Sequence, residues 1–359
     1  MVLSRTLFGL VCLFGTSQAA SYQLYKHVDS KNFESEFEMD AMETDPTLGN
    51  VLYVDKATAK GDKLLGVKDG EIYIGVDHRT KIPSTGGSPA PAAPAPAKPA
   101  PANQQSPQKP LLARKDDGIS IKRKSVRVKS ADVYNSNTLF IFDVSHAPVG
   151  PAVWPAIWTF GNTEGDGIGW PNKGEIDIME GINSMTTNSV SLHMDESCKA
   201  ASNKGSTNEL TTFQGNCNEG RGGTGCKQET KEPAAYGTEF NKRRGGVYAM
   251  EWTDARISVW FFPRGGKIPD IKNPDPASWG KPMASFTNCD FRKFRDHRII
   301  INITLCGQWA GKTDEWGNDA KCPGCKNMAM ECKDFVAAFP EKFTEAYWQI
   351  KTISTFKAK

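Results

Sequence analysis

Short apolar segments separated by turn-forming residues recur along most of this chain. Alternation of apolar and polar residues predicts strands over 71–76, 124–129 and 189–194, and a continuous apolar run at 139–142 predicts a fully buried strand. Further strands are expected at 247–252, 257–262 and 298–306, whereas a helical period occurs around 334–338. Many strands without alternating helices indicate an all-β fold. We predict a β-jelly-roll sandwich of two antiparallel sheets, one with a concave substrate cleft.

A Pro- and Ala-rich tract at about 84–112 interrupts this pattern. Such sequence is semi-extended and does not form a packed core. The segments on either side of it, 71–76 and 124–129, are consistent with two strands of one sheet whose connection has been lengthened. A long connection is tolerable because each doubling of its length costs only about 0.6 kcal/mol. We therefore expect a single domain over residues 21–359 with a disordered insert, and two separate domains are the alternative.

The first 20 residues predict a secretory signal peptide, because Arg5 precedes an apolar stretch at 7–14 and small residues at Ala19 and Ala20. The apolar stretch is too short to span a bilayer, and no later segment is apolar enough to do so. Cleavage removes Cys12 and leaves eight cysteines. An even number in an oxidising compartment predicts up to four disulfides, with their pairing left open. We expect a secreted, extracellular protein with no membrane partner.

Cys322 and Cys325 form a CxxC pair that, with Cys332, could belong to a zinc site. No second pair and no nearby histidine completes such a site in the sequence, so disulfide bonding is favoured, and we expect no metal or other cofactor. The formal net charge is +3, which is small for 359 residues. The charge balance therefore indicates no nucleic-acid partner.

The most informative segment is GEIDIMEG at 174–181, which has three carboxylates within six residues. In a regular strand Glu175 and Asp177 share one face, and the isoleucines beside them occupy the other. Glu180 falls out of this period. A β-bulge near Met179 would bring it back beside the other acids, and bulges are common next to active sites. A solvated edge strand is the alternative, but it would leave the intervening apolar residues exposed.

Two glutamates that converge from one strand are suited to cleaving a glycosidic bond with retention of configuration. That mechanism uses one carboxyl as nucleophile and the other as general acid/base, about 5–5.5 Å apart. Asp177 between them would hydrogen-bond a neighbour and keep the two glutamates in different protonation states. We therefore predict that Glu175, Asp177 and Glu180 are catalytic.

Aromatic residues and one histidine extend the predicted site. Trp154, Trp158, Trp170 and Trp309 lie in Gly- or Pro-flanked segments. Flat indole rings stack on sugar faces, although core packing is the alternative for each of them. Trp170, which lies shortly before the acids in sequence, is the best candidate for the cleft. His193 is on a polar strand face, and the strand that follows the acids would place it beside them.

Two motifs, WPAIW at 154–158 and WPNKGEIDIMEG at 170–181, resemble those of glycoside hydrolase family 16, especially its fungal-type secreted endo-β-1,3(4)-glucanases, also called laminarinases. Weaker matches follow the family's order at 125–127 (SVR), 191–193 (SLH), 306–311 (CGQWAG) and 347–350 (YWQI). The resemblance therefore extends over nearly the whole mature chain.

The resemblance implies a β-jelly roll, a retaining double-displacement mechanism and no metal requirement for the chemistry. By matching position, it implies that Glu175 is the nucleophile, that Glu180 is the general acid/base and that Asp177 assists the nucleophile. The residues that it places along the substrate cleft are Trp170, His193, Arg123 and Trp309. Trp158, one of the groove aromatics, completes the predicted substrate-binding set.

We expect a monomer that acts on β-glucan polysaccharide as an endo-hydrolase of β-1,3 or mixed β-1,3/1,4 linkages. A non-catalytic β-glucan-binding protein is one alternative, which the presence of both glutamates disfavours. A transglycosylase, which passes the glycosyl-enzyme intermediate to another sugar, is the other. The sequence leaves that alternative open because the same acids serve water and sugar acceptors.

Overall fold

The computed structural model describes residues 21–83, 122–161, 167–195, 198, 200–202, 211–214, 217 and 225–359. The predicted signal peptide at 1–20 and the predicted insert at about 84–112 lie outside the described residues. Both therefore stay predictions, as does the single-domain organisation that depends on them.

Strands dominate the described part of the chain. In chain order they are β1 (Tyr22–Val28), β2 (Phe37–Met39), β3 (Val51–Tyr53), β4 (Leu65–Lys68), β5 (Glu71–Gly75), β6 (Arg123–Ser125), β7 (Arg127–Ser130), β8 (Thr138–His146), β9 (Val153–Gly161), β10 (Glu175–Glu180), β11 (Ser189–His193), β12 (Ala201–Ser202), β13 (Thr211–Gln214), β14 (Cys226–Thr230), β15 (Gly246–Trp252), β16 (Ile257–Pro263), β17 (Ala284–Thr287), β18 (His297–Leu305) and β19 (Tyr347–Ala358).

Helices in the described residues are short. They are α1 (Phe33–Glu36), α2 (Lys56–Gly61), α3 (Gly237–Lys242), α4 (Gly307–Ala310), α5 (Thr313–Trp316), α6 (Cys325–Met328) and α7 (Cys332–Ala338), with 3₁₀ turns at Pro233–Ala235, Pro276–Ser278 and Pro340–Phe343. The helical period around 334–338 corresponds to α7. No helix among the described residues has the length and apolarity that crossing a membrane requires.

Two antiparallel sheets form the sandwich, which confirms the predicted fold class. The nine-stranded sheet has the order β12-β17-β16-β15-β8-β19-β5-β4, with β1 also paired to β19. The eight-stranded sheet has the order β13-β14-β11-β10-β9-β18-β7-β2. β3 and β6 form a separate parallel pair. The strand that carries the three acids, β10, therefore has partners on both sides.

The strands that flank the proline-rich tract do not belong to one sheet, so that prediction is wrong. β5 pairs with β19 in the nine-stranded sheet. The segment after the tract is divided between β6, which pairs with β3, and β7, which pairs with β18 in the eight-stranded sheet. Alternation along a segment indicates only that one face is buried. The partner strand is decided by contacts that are distant in sequence.

The main core lies between the two sheets. Phe140 and Phe142 on β8 belong to it, together with Ile176 and Ile178 on β10. The outer face of β8 is also buried, because Leu139 and Ile141 belong to a smaller apolar cluster against which Phe262 and Trp279 pack. Burial on both faces explains the continuous apolar run at 139–142.

All eight cysteines that remain after the predicted cleavage are paired, which agrees with the predicted number of disulfides. The pairs are Cys198–Cys289, Cys217–Cys226, Cys306–Cys332 and Cys322–Cys325. The CxxC pair is thus a disulfide in the structure and not part of a zinc site.

A neutral histidine supports the region just before the acids. His297 at the start of β18 is fully buried. Its Nε2 lies 2.9 Å from the carbonyl oxygen of Lys173, and its Nδ1 lies 2.8 Å from Thr159 Oγ1. A carbonyl only accepts, so Nε2 carries the proton and Nδ1 accepts from the hydroxyl. Burial lowers the pKa of His297 to about 3.

We expect His297 to make the fold sensitive to acid. The unfolded chain binds a proton at this residue near pH 6.5, whereas the folded chain does so only near pH 3, so stability falls as the pH drops through that window. At 1.36 kcal/mol per pH unit, the loss between pH 6.5 and pH 4 is about 3 kcal/mol. Denaturant unfolding at pH 6.5 and pH 4 measures this loss. The free energy of unfolding should change less between the two pH values in His297→Gln than in wild type. Equal pH dependence in the two proteins would contradict it.

Candidate active site

The acid-bearing strand β10 contains the predicted bulge. Along β11, Glu175 pairs with His193 and Asp177 with Ser191, but Glu180 pairs with Ser189. The register thus shifts by one residue between Asp177 and Glu180, and it also shifts against β9 on the other side. One extra residue in the strand restores Glu180 to the face that Glu175 and Asp177 occupy.

Burial separates the two faces of β10. The apolar residues Ile176, Ile178 and Met179 are fully buried. Glu175 and Glu180 are only partly buried, on the face of the eight-stranded sheet that is turned away from the core. We call this the cleft face. Because β10 lies between β9 and β11, the alternative of a solvated edge strand is wrong.

The carboxylate of Glu175 is held by a tryptophan. Trp170 Nε1 donates a hydrogen bond of 2.7 Å to Glu175 Oε2, and the Trp170 ring is 48% exposed, so it also offers a surface to a ligand. His193 Nε2 lies 3.8 Å from Glu175 Oε1. Burial, reinforced by the charge of Asp177, raises the pKa of Glu175 to about 7.

Asp177 and His193 form a pair in the middle of the cleft face. His193 Nε2 lies 3.1 Å from Asp177 Oδ2, and Asp177 is almost fully buried. Gly225 allows the chain to approach the imidazole closely, since a Cβ at that position would lie 2.6 Å from His193 Cε1. The prediction that the next strand brings His193 beside the acids is confirmed.

Glu180 has its own tryptophan donor. Trp154 Nε1 donates a 2.8 Å hydrogen bond to Glu180 Oε1. The ring of Trp154 packs edge-on against Trp309, with 5.7 Å between centroids, and Lys227 Nζ lies 5.8 Å from the Trp309 centroid. Burial, and then the charge of Asp177, raises the pKa of Glu180 to about 8.

Trp158 lies on the cleft face opposite Asp177 in the ladder. Its Nε1 donates a 2.8 Å hydrogen bond to Asn302 Oδ1. The guanidinium of Arg127 lies 4.9 Å from the Trp158 ring centroid and forms a 2.7 Å ion pair with Asp40. This arrangement fixes the ring as part of the floor beside the acids.

Arg123 is not part of this face, and its prediction as a cleft residue is wrong. The side chain is completely buried. Its guanidinium donates to the backbone carbonyls of Asp77, Thr80 and Val336. With its donors directed at carbonyl groups inside the protein, Arg123 has no accessible surface for a sugar. Arg127, four residues later, lies on the cleft face instead, where its guanidinium contacts Trp158.

Three site residues were missed as functional positions. Arg127 shares a strand face with Lys129, and its alternation with Val128 was the available signal. Asn302 is marked in the sequence only by the glycosylation sequon that it forms with Ile303 and Thr304. Asn188, described below, has no signal in the sequence because its importance depends on a neighbouring strand.

Among the described residues, Glu175, Asp177 and His193 could hold a metal ion together, since their ligand atoms lie within 4.8 Å of one another. A cation there would stabilise the charged form of both carboxylates. The two glutamates each accept a tryptophan hydrogen bond and have a raised pKa, which suits proton transfer and nucleophilic attack.

Comparisons with known proteins point in the same direction. Residues 101–356 match the family model described as the XgeA-like catalytic GH16 domain. An endo-1,3(4)-beta-glucanase of Arthroderma benhamiae is 34% identical over 87% of this chain and 60% of its own length. A probable glycosidase of Schizosaccharomyces pombe is 32% identical over 95% of this chain and 70% of its own length. The chain spans about half the length of other relatives, such as 47% of a probable endo-1,3(4)-beta-glucanase of Aspergillus clavatus.

Two solved structures cover 94% of this chain and 100% of their own chains, each with a TM-score of 0.75. One is an elongating GH family 16 beta-1,3-glucosyltransferase, at 34% identity. The other is Laminarinase 16A from Phanerochaete chrysosporium with beta-glucans in its donor and acceptor sites, at 33% identity.

Proposed function

The chain belongs to glycoside hydrolase family 16, and we propose that it cleaves internal linkages of β-1,3- or mixed β-1,3/1,4-glucan with retention of configuration. The observation that carries the proposal is the bulged strand β10, which presents Glu175 and Glu180 on one face, each with a tryptophan donor. Retaining hydrolysis needs two carboxyls that flank one glycosidic bond.

In the first step, the ionised carboxylate of Glu175 attacks the anomeric carbon while protonated Glu180 donates its proton to the leaving glycosidic oxygen. The C–O bond breaks, and a covalent glycosyl–Glu175 ester forms. In the second step, Glu180 takes a proton from water, whose oxygen attacks the anomeric carbon and displaces Glu175. The sugar leaves with its original β configuration, and both carboxyls return to their starting protonation states.

The environments of the two glutamates suit a pair in which one carboxyl holds a proton. Burial raises the pKa of both carboxyls, whereas a tryptophan hydrogen bond and the nearby His193 lower the pKa of each. The assignment of Glu175 as nucleophile and Glu180 as general acid/base follows the order of the two residues in the family motif. Asp177, hydrogen-bonded to His193, raises the pKa of both glutamates and so opposes their simultaneous ionisation.

The proposed substrate is a β-glucan chain lying along the cleft face, with Trp170, Trp158 and Trp309 as stacking surfaces and His193 as a polar contact. Four disulfides suit an oxidising compartment, which supports secretion into the extracellular space. A monomer is sufficient for this chemistry, because one chain supplies both carboxyls.

Product sizing after incubation with laminarin, lichenan and barley β-glucan tests the function. Endo-hydrolysis predicts a series of short oligosaccharides from early times and a rapid fall in polymer length. Release of glucose alone would contradict endo cleavage, and unchanged polymers in all three incubations would contradict the hydrolase proposal.

Glycosyl transfer is a second candidate, favoured by the similarity to the elongating GH family 16 beta-1,3-glucosyltransferase. Transfer uses the same first step, and a sugar hydroxyl then replaces water as the acceptor. The same incubation with a purified oligosaccharide separates the two reactions, because transfer yields products longer than the substrate. A non-catalytic binding role is disfavoured by the hydrogen-bonded, partly accessible glutamate pair.

A further inference from the structure

The bulge in β10 creates a need for backbone partners. An extra residue in one strand interrupts the hydrogen-bond ladder and leaves local N–H and C=O groups unpaired. The side chains at this point, Ile178 and Met179, are fully buried, so water has little access to that part of the backbone. Buried backbone groups without partners are costly and rare. Something other than the ladder must satisfy them.

The side chain of Asn188 meets this need. Its Nδ2 donates a 2.9 Å hydrogen bond to the carbonyl oxygen of Ile178, and its Oδ1 accepts a 2.9 Å hydrogen bond from the backbone N–H of Glu180. Asn188 is itself completely buried. Its own carbonyl accepts from the backbone N–H of Thr230, which ties it to the neighbouring strand β14.

The chemistry of the amide fits these two contacts closely. A carbonyl oxygen only accepts and a backbone N–H only donates, so the partners fix which end of the Asn188 amide carries nitrogen. One donor and one acceptor on a planar group are what a peptide unit of a partner strand would offer. An aspartate would lack the donor, and an apolar side chain would lack both.

We propose that Asn188 is a positioning residue for Glu180: its side chain replaces the missing ladder partner and holds the bulge that aims the general acid/base into the cleft. The inference rests on the proposed role of Glu180. Without the clamp, β10 can relax towards a regular ladder, and a slip of one residue moves a side chain to the opposite face. Glu180 would then be withdrawn from the glycosidic oxygen.

The leaving group of the substrate distinguishes this role from simple structural support. A glucan alcohol needs a proton from Glu180 in order to leave, whereas a dinitrophenolate leaves without one. For Asn188→Ala and the milder Asn188→Ser, we expect kcat/KM on laminarin to fall on the order of 10²-fold, the lower range of general acid catalysis. On a dinitrophenyl β-glycoside of a β-1,3-linked disaccharide, we expect less than about a tenfold fall.

Asn241→Ala provides the matched control. The Asn241 amide likewise clamps backbone groups, since Oδ1 accepts from the N–H of Ala147 and Nδ2 donates to its carbonyl. These contacts lie at the end of β8 in the other sheet. If Asn241→Ala lowers the fraction of folded protein, its activity on laminarin and its activity on the dinitrophenyl glycoside should fall by the same factor. An equal loss on the two substrates in the Asn188 variants would overturn the proposal.

Hydrogen exchange of the Glu180 amide in the wild-type protein tests the clamp without any variant. We expect protection comparable to the regular ladder amides of β9 and β11, despite the bulge. Exchange as fast as in an unfolded chain would overturn the proposal even if neither Asn188 variant folds. A wild-type protein that turns over neither substrate would instead refute the proposed function, and the exchange result would still decide the clamp.

Discussion

Glu175→Gln is expected to abolish turnover of β-glucan while the protein still binds the polysaccharide. The amide is nearly isosteric but cannot form the glycosyl ester, so the covalent step is lost. Loss of a nucleophile costs on the order of 10⁴-fold or more in kcat. The folded structure should persist, because an amide oxygen can still accept from Trp170 Nε1. Reducing-end release measures the first effect, and sedimentation with insoluble glucan measures the second.

Glu38→Gln is the control for this substitution. Glu38 lies on β2 at the edge of the same sheet, where its exposed carboxylate is 3.7 Å from Arg298. Such a surface pair contributes about 0–1 kcal/mol, and we expect activity to remain near the wild-type level. Comparable rates of reducing-end release by Glu175→Gln and wild type would mean that the nucleophile assignment is wrong.

Glu180→Gln has the second-largest expected effect, and its size should depend on the leaving group. Loss of general acid/base catalysis costs 10²–10⁴-fold, so we expect roughly this fall in kcat/KM on laminarin. The first step on a dinitrophenyl glycoside needs no proton donor and should be far less affected. Its second step lacks a base, and added azide should restore turnover by forming a β-glycosyl azide. Product analysis by NMR checks both points.

The pH dependence of kcat/KM tests whether Glu180 acts in its protonated form. Activity requires the protonated carboxyl, so kcat/KM falls as the pH rises through the pKa of Glu180, which burial and Asp177 raise above its ordinary value. Glu180→Gln has no carboxyl proton to lose at this position. Its kcat/KM on the dinitrophenyl glycoside should therefore not fall on the basic side of the pH profile. A basic limb that persists unchanged in Glu180→Gln would assign the titration to another group.

The local part of the site was predictable from the sequence. Glu175, Asp177 and Glu180 lie on one strand, where the period of two and a single bulge determine which way each side chain points. The isoleucines beside them could only face a core. The position of His193 was also predictable. A short connection makes two consecutive strands antiparallel neighbours, so the strand after the acids lies beside them.

The predictions that were wrong, and the role that was missed, depend on contacts between residues that are distant in sequence. Arg123 and Arg127 lie in the same basic segment, but Arg123 points at carbonyls near Val336, whereas Arg127 stacks on Trp158. The sequence also did not predict that the basic segment is divided between β6 and β7, because their partner strands β3 and β18 are distant in sequence. Asn188 gains its role from a bulge on the adjacent strand, so no pattern around Asn188 itself could reveal it.

A trapped intermediate tests the central claim most directly. A 2-deoxy-2-fluoro glycosyl fluoride of a β-1,3-linked disaccharide slows both steps by destabilising the oxocarbenium-like transition state, while its good leaving group lets the first step proceed. The ester should therefore accumulate and be found by mass spectrometry of peptides. Fragmentation that places the disaccharide on Glu175 is the predicted result. Rapid turnover without an adduct, or an adduct on any other residue, would contradict the assignment of the two glutamates.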